Sequence, residues 1–138
     1  MAIKYLLDTN IVSELVRPIP NTGVAQRIQE TTGEVAIAAT IWHELVFGVL
    51  RLPPSNKRSA LEQYLSQVIR PLPILPYDVK AATWFAGERA RLTGVGRSPS
   101  YPDGQIAAVA ARNDLILVTR NVTDFADFMD LPVENWFS

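Results

Sequence analysis

Three short runs of this chain are apolar at every position: Tyr5-Leu6-Leu7, Val35-Ala36-Ile37-Ala38-Ala39 and Leu115-Ile116-Leu117-Val118. A strand with one wet face alternates apolar and polar side chains. A strand without alternation is covered on both faces, the signature of a parallel sheet between helix layers. The segments between the runs have helical periodicity instead, as in the i, i+3, i+4, i+7, i+8 stripe of Leu61, Tyr64, Leu65, Val68 and Ile69. The expectation is an α/β three-layer sandwich, a mostly parallel central sheet flanked by helices, formed as one domain over residues 1–138.

In more detail, the sequence predicts strands over Ile3–Leu7, Val35–Ala39, Ile74–Leu75 and Leu115–Thr119, with a last edge strand at Val133–Glu134. Helices are expected over Asn10–Val16, Asn21–Glu30, from a Thr40 cap to about Leu52, from a Ser55 cap onward, Asp78–Thr93 and Asp103–Arg112. Ala82, Phe85, Ala86 and Leu92 share one face of the long helix, and Gly94 ends it. Helices outnumber strands, which suggests a helical arm inserted mid-chain.

Composition narrows the function classes. There is no cysteine and one histidine, His43. Thiolate chemistry is excluded and a zinc hydrolase site is poorly supplied. The start, Met1-Ala2-Ile3-Lys4-Tyr5-Leu6-Leu7-Asp8, does not read as a signal peptide, because its apolar run is short and ends in a carboxylate. No stretch approaches the ~20 apolar residues of a membrane span, so the expectation is a cytoplasmic protein without a membrane partner. The formal net charge of −1 argues against avid nucleic-acid binding over the whole surface. A local site in which metal ions supply positive charge remains open.

Four acids sit where four segments leave their strands: Asp8, Glu44 one turn beyond the second run, Asp103 at the head of an alanine-rich helix, and Asp124 after the fourth strand. In an open parallel sheet such exits lie along one edge, where ligands of these folds bind. Each acid has an ordinary explanation: Asp8, Asp103 and Asp124 suit helix starts, and Glu44 suits a surface. Together they do not, because two like charges at ~4 Å cost about 4 kcal/mol at an effective dielectric near 20. Such a cluster calls for protons or cations, and oxygen ligands suit Mg2+ or Mn2+. Asp127 and Asp130 nearby are read as solvated.

Four segments carry a family resemblance: Leu6-Leu7-Asp8-Thr9-Asn10, Thr40-Ile41-Trp42-His43-Glu44-Leu45-Val46-Phe47-Gly48, Asp103-Gly104-Gln105-Ile106-Ala107-Ala108 and Leu117-Val118-Thr119-Arg120-Asn121-Val122-Thr123-Asp124-Phe125. They resemble, in order and spacing, the motifs of PIN-domain ribonucleases, and within that family the VapC-type toxins of toxin–antitoxin pairs, nearest the FitB-like branch. The resemblance implies Mg2+- or Mn2+-dependent cleavage of RNA, a homodimer, and inhibition by a small VapB-like antitoxin. It makes Asp8, Glu44, Asp103 and Asp124 both catalytic residues and metal ligands, with Asp8 and Asp103 central. Asn10, Thr119 and Asn121 are then supporting residues. An antitoxin helix would lie in an apolar groove, for which Ile11, Leu15, Trp42, Val46, Phe47 and Leu50 are candidates.

Three rivals share these features. A catalytically idle PIN-like domain that binds RNA or serves as a scaffold would tolerate loss of the acids, yet all four are present. A phospho-acceptor receiver would need an acidic residue after the middle strand and a late lysine, whereas Ile74-Leu75 runs into Pro76 and no lysine follows Lys80. A DNA-directed nuclease would use the same metal chemistry.

Overall fold

The computed structural model describes residues 2–138. Five strands, β1 (Tyr5–Leu7), β2 (Val35–Ala38), β3 (Ile74–Leu75), β4 (Ile116–Val118) and β5 (Val133–Glu134), form one sheet in the order β3-β2-β1-β4-β5. The expectation of a mostly parallel sheet is met in full, since every pairing is parallel. Around the sheet lie α1 (Thr9–Leu15), α2 (Thr22–Glu30), α3 (Ala39–Leu50), α4 (Asn56–Tyr64), α5 (Val79–Thr93), α6 (Tyr101–Arg112) and α7 (Val122–Phe125). The chain is thus an α/β sandwich with β1, the first strand made, at the centre of the sheet.

The unbroken apolar runs do what the lack of alternation requires. Leu6, Leu7, Ile37 and Leu117 are buried from both sides, and Ile41, Ile106 and Val109 reach them from the covering helices. The alanines of α6 serve close approach: Ala107, Ala108 and Ala110 are fully buried. Gly104 takes this furthest, because a Cβ there would fall inside the Phe85 ring of α5.

Several local expectations are corrected. Helix α3 begins at Ala39 with Ala38 as an N-cap that offers no side chain, and the Thr40 hydroxyl donates instead to Gln105 Oε1 at 3.0 Å. Ser55 does cap α4, its hydroxyl accepting from Arg58 N at 3.1 Å. After α4 comes a single π turn, Leu65–Ile69, closed by Arg70 N donating to the Leu65 carbonyl at 2.8 Å. The wider turn stacks Ile69 below Leu65 and swings Val68 out of the apolar stripe, so Val68 is 51% exposed. On α5 the inner face is Ala81, Phe85 and Leu92, while Ala86 is exposed. Helix α5 does stop before Gly94, but the left-handed residue of the exit is Gly96, at φ +80°. Helix α6 starts at Tyr101, two residues before the expected Asp103, because Ser100 is the cap and Pro102 fits the first turn.

Candidate active site

Strand β1 ends where Asp8 N donates to the Val118 carbonyl of β4 at 2.9 Å. The Asp8 carboxylate then turns under the start of α1, with Oδ1 accepting from Thr9 N at 2.8 Å. Oδ2 accepts from the buried Thr119 hydroxyl at 2.7 Å and from Asn10 Nδ2 at 3.4 Å. Asn10 Nδ2 also reaches Thr119 Oγ1 at 3.3 Å, and its carbonyl oxygen accepts from Arg120 N at 3.1 Å. Asp8 is therefore both helix cap and site residue, held by donors from two adjacent strand exits. It is 7% exposed. Asn10 and Thr119 thus both bond the Asp8 carboxylate. Asn121 contributes through its backbone, N donating to Thr119 Oγ1 at 3.0 Å, while its side chain caps nothing.

Glu44 lies one turn into α3, half-buried, and its Oε2 accepts from Thr9 Oγ1 at 2.6 Å. Asp103 sits in the first turn of α6, its backbone N donating to the Ser100 hydroxyl at 3.3 Å. Asp124 is exposed in the first turn of α7 and lines, with Asp103, a cleft of about 260 Å3. The electrostatics join these positions. Burial lifts the Asp8 carboxyl above the usual range against its bonds from Thr119 and Thr9, and the negative charges of Glu44 and Asp124 add to the rise. Asp103 is lifted by burial first, then by Asp124 and Asp8, against its bond to Ser100. All four acids thus act on a common field.

That field is not a closed coordination sphere: among the described residues no three acidic or histidine side chains are drawn together around one point. What fits a hard divalent ion is the donor chemistry, carboxylate and hydroxyl oxygens with no soft ligand, and two carboxyls whose charged form the protein alone disfavours.

Two neighbours of the site have no role assigned to them by the sequence. Thr9, which holds Glu44, was hidden because a threonine after a strand reads as helix initiation. Arg97, in the loop before α6, lines the cleft with Asp103 and Asp124 and donates from Nη1 to both Asp127 oxygens at 2.8 Å. Asp127 is accordingly ion-paired rather than merely solvated. Farther off, Glu14 is buried at 7% exposure, accepting from Asn21 N at 2.8 Å and pairing with Arg17, and serves the α1–α2 connection. His43 is exposed.

An apolar groove of about 310 Å3 runs between α1, α3 and α4, lined by Val12, Val16, Leu45, Val49, Leu61 and Tyr64. Its lining differs from the groove candidates read from the sequence. Ile11 is fully buried core, because it faces the sheet while Val12 and Val16 face the groove. Leu15, Trp42 and Val46 pack onto the core, and the exposed Phe47 and Leu50 lie outside this groove.

Comparison with known proteins agrees with this geometry. The chain is 32% identical over 135 residues to "Ribonuclease VapC2" of Haemophilus influenzae, covering 97% of this chain and 98% of that protein. It is 36% identical over 124 residues to "Toxin FitB" of Neisseria gonorrhoeae, covering 87% and 89% of the two chains. The crystal structure of FitAcB from Neisseria gonorrhoeae superposes with a TM-score of 0.86 at 35% identity, over 95% of this chain and 96% of that one. The family model described as "PIN domain" matches residues 5–128, from the first strand through the acid-bearing α7, and the chain belongs to the PIN-domain family.

Proposed function

We propose that this chain is the toxin of a toxin–antitoxin pair and acts in the cytoplasm as an endoribonuclease that cleaves RNA phosphodiester bonds at the four-acid site. The observation that carries the reading is the gathering of the four acids, whose like charges repel, at one sheet edge: Thr119 and Asn10 hold the buried Asp8 carboxylate, Thr9 ties Glu44 to the same turn, and Asp103 and Asp124 line one cleft. An idle scaffold has no need to maintain that repulsion. The naming of its relatives as ribonuclease and toxin supports the same reading.

Asp8 and Asp103 would be the central ligands of Mg2+ or Mn2+, with Glu44 and Asp124 as further direct or water-mediated ligands. When bound, such ions activate water and neutralise charge developing on the phosphate and leaving oxygen. The protein's own part is positioning. Thr119 and Asn10 fix the Asp8 carboxylate, and Thr9 fixes Glu44 across the site. Ser100 bonds the start of α6 and so holds Asp103 at the cleft.

The test is direct. Purified protein should cut RNA in Mg2+ or Mn2+ and stop in EDTA. Asp8→Asn or Asp103→Asn should lower the rate by orders of magnitude while leaving cooperative unfolding intact. Because ions that bind only the native state stabilise it by mass action, Mn2+ should raise the melting temperature of the wild type and raise it much less in Asp8→Asn. Equal activity in EDTA would overturn the metal assignment.

The reading also includes a partner and a homodimer. The α1–α3–α4 groove suits the apolar face of a short antitoxin helix. Gly48 lines that groove with nothing within 4 Å of where its Cβ would be, leaving room for a partner backbone to come close. Expression of the chain alone should arrest growth, and co-expression of its antitoxin should restore it through a stable complex.

A further inference from the structure

On the α3–α6 side of the acids lies a second cleft, of about 550 Å3, lined by His43, Glu44 and Phe47 from α3 and by Tyr101, Pro102 and Gln105 from α6. Its volume falls within the roughly 300–1,000 Å3 of small-molecule sites. Its walls are aromatic and wet: Phe47 is 59% exposed, Tyr101 57%. His43 stacks on Phe47, with centroids 6.5 Å apart and planes 7° from parallel. Tyr101 is braced edge-on by Phe85, centroids 5.9 Å apart, and its hydroxyl accepts from Arg89 Nη1 at 2.7 Å.

Positive charge stands at both walls. Arg51 lies 5.9 Å from the Phe47 ring centroid, and Arg89 lies 4.7 Å from that of Tyr101. The same cleft is lined by a polar group held at one end. Thr40 Oγ1 donates to Gln105 Oε1 at 3.0 Å, which fixes the amide by its acceptor end. Gln105 Nε2 has no hydrogen-bond partner among the described residues and presents its N–H donors.

We propose that this cleft holds the unpaired base of the nucleotide adjoining the cleaved phosphodiester, stacked between the two aromatic walls, with Gln105 reading its edge. The proposal rests on the ribonuclease reading above. Glu44 lines the same cleft, so a base seated there is one nucleotide from the acids. The acids repel phosphate, whereas Arg51 and Arg89 attract it. Stacking on exposed aromatics is how proteins hold single-stranded RNA, and a base inside a duplex cannot offer its faces. Because Gln105 presents donors, it favours an edge rich in acceptors, guanine O6 and N7 or the uracil carbonyl, and opposes the amino groups of adenine and cytosine.

The experiment uses short single-stranded oligoribonucleotides identical except for the base beside the cleaved bond, one of them abasic there, cut by the full chain in Mn2+. The wild type should show about tenfold higher kcat/KM with guanine or uracil than with adenine or cytosine. The abasic substrate should fall about ten- to a hundredfold. Phe47→Ala and Tyr101→Ala should flatten the dependence on the base, and Tyr101→Phe should restore it. Gln105→Glu, which replaces donors by acceptors, should invert the preference toward cytosine and adenine. Melting temperature and gel filtration accompany each variant. If the wild type cuts no RNA, the ribonuclease reading falls and takes this inference with it. If it cuts the abasic substrate as well as the others, only this inference falls. If Phe47→Ala turns a dimer into a monomer and leaves the base dependence unchanged, the face belongs to a second copy of the chain and the inference is overturned.

Discussion

Adding one methyl group to Gly104 tests whether close helix contact sets the position of Asp103. An ideal Cβ at residue 104 meets three atoms of the Phe85 ring. Cζ and Cε1 are the nearest, and even Cε2 is only 2.5 Å away. Comfortable carbon–carbon separation is about 3.5 Å. The ring or the helix must therefore retreat by at least ~1 Å, and neither is free to do so: Phe85 is 3% exposed and Ala107 and Ala108, a turn below, are fully buried. Overpacking of this kind costs typically 1–3 kcal/mol. For a chain of this length that is a fall in melting temperature of roughly 4–12 °C. Asp103 precedes Gly104, so a displaced helix start also moves a proposed metal ligand, and a 1 Å misplacement can cost about a hundredfold in rate. The assay is thermal unfolding with RNA cleavage in Mn2+ for Gly104→Ala, Phe85→Leu and the double variant. The smaller, ringless leucine side chain should relieve part of the Gly104→Ala cost, giving a coupling energy of about 1 kcal/mol. Strict additivity, or a Gly104→Ala protein with wild-type stability and rate, would refute the reasoning.

Other outcomes follow from the same contacts. Thr9→Val removes the only hydroxyl on Glu44 among the described residues and should lower activity about ten- to a hundredfold with little change in melting temperature, measured as kcat/KM and Mn2+ affinity. Thr119→Val strips a buried donor from Asp8 and should cost about 1–3 kcal/mol by denaturant unfolding. In chelator, the native Asp103 carboxyl titrates above its unfolded value, so the native state binds more protons than the unfolded one across that window. Its contribution to stability therefore falls as pH rises from the usual carboxylate range through the raised native value. Asp103→Asn should gain stability relative to wild type over that rise, and a difference independent of pH would reject the raised value. Gly48→Ala should add about 1 kcal/mol by removing a mid-helix glycine. Gly48→Phe should fill the groove and abolish formation of a stable complex with the antitoxin, read by co-purification.

The sheet was legible because its strands are short and apolar throughout, a pattern few other folds satisfy. The positions of the acids were legible to different degrees: Asp8 directly follows β1, whereas Glu44 lies one turn inside α3 and Asp103 follows a loop and not a strand, in the first turn of α6. What stayed hidden depends on atoms that meet across the sheet edge. Thr40 looks like a cap in sequence, and only the approach of α6 shows its hydroxyl engaged by Gln105. Thr9 likewise looks like a helix start, and only the fold brings it to Glu44. The stripe that placed Val68 in the core assumed 3.6 residues per turn, and one π turn breaks that count. Ser100 caps α6 from within a loop that offers serine and proline at several positions, so the cap shows only in the fold.

The bond from Thr119 to Asp8 spans 111 residues of sequence. Strand β1 is made long before β4, yet the two are neighbours in the sheet. Until that strand docks, the Asp8 carboxylate lacks Thr119 and the Asn10–Arg120 bond cannot form. A growing chain therefore carries Asp8 and Glu44 without an organised centre, and chains of such long-range pairing assemble late. Under the proposed ribonuclease activity the order of the strands is a safeguard in time: the Asp8 centre cannot be organised until the ribosome has passed Thr119.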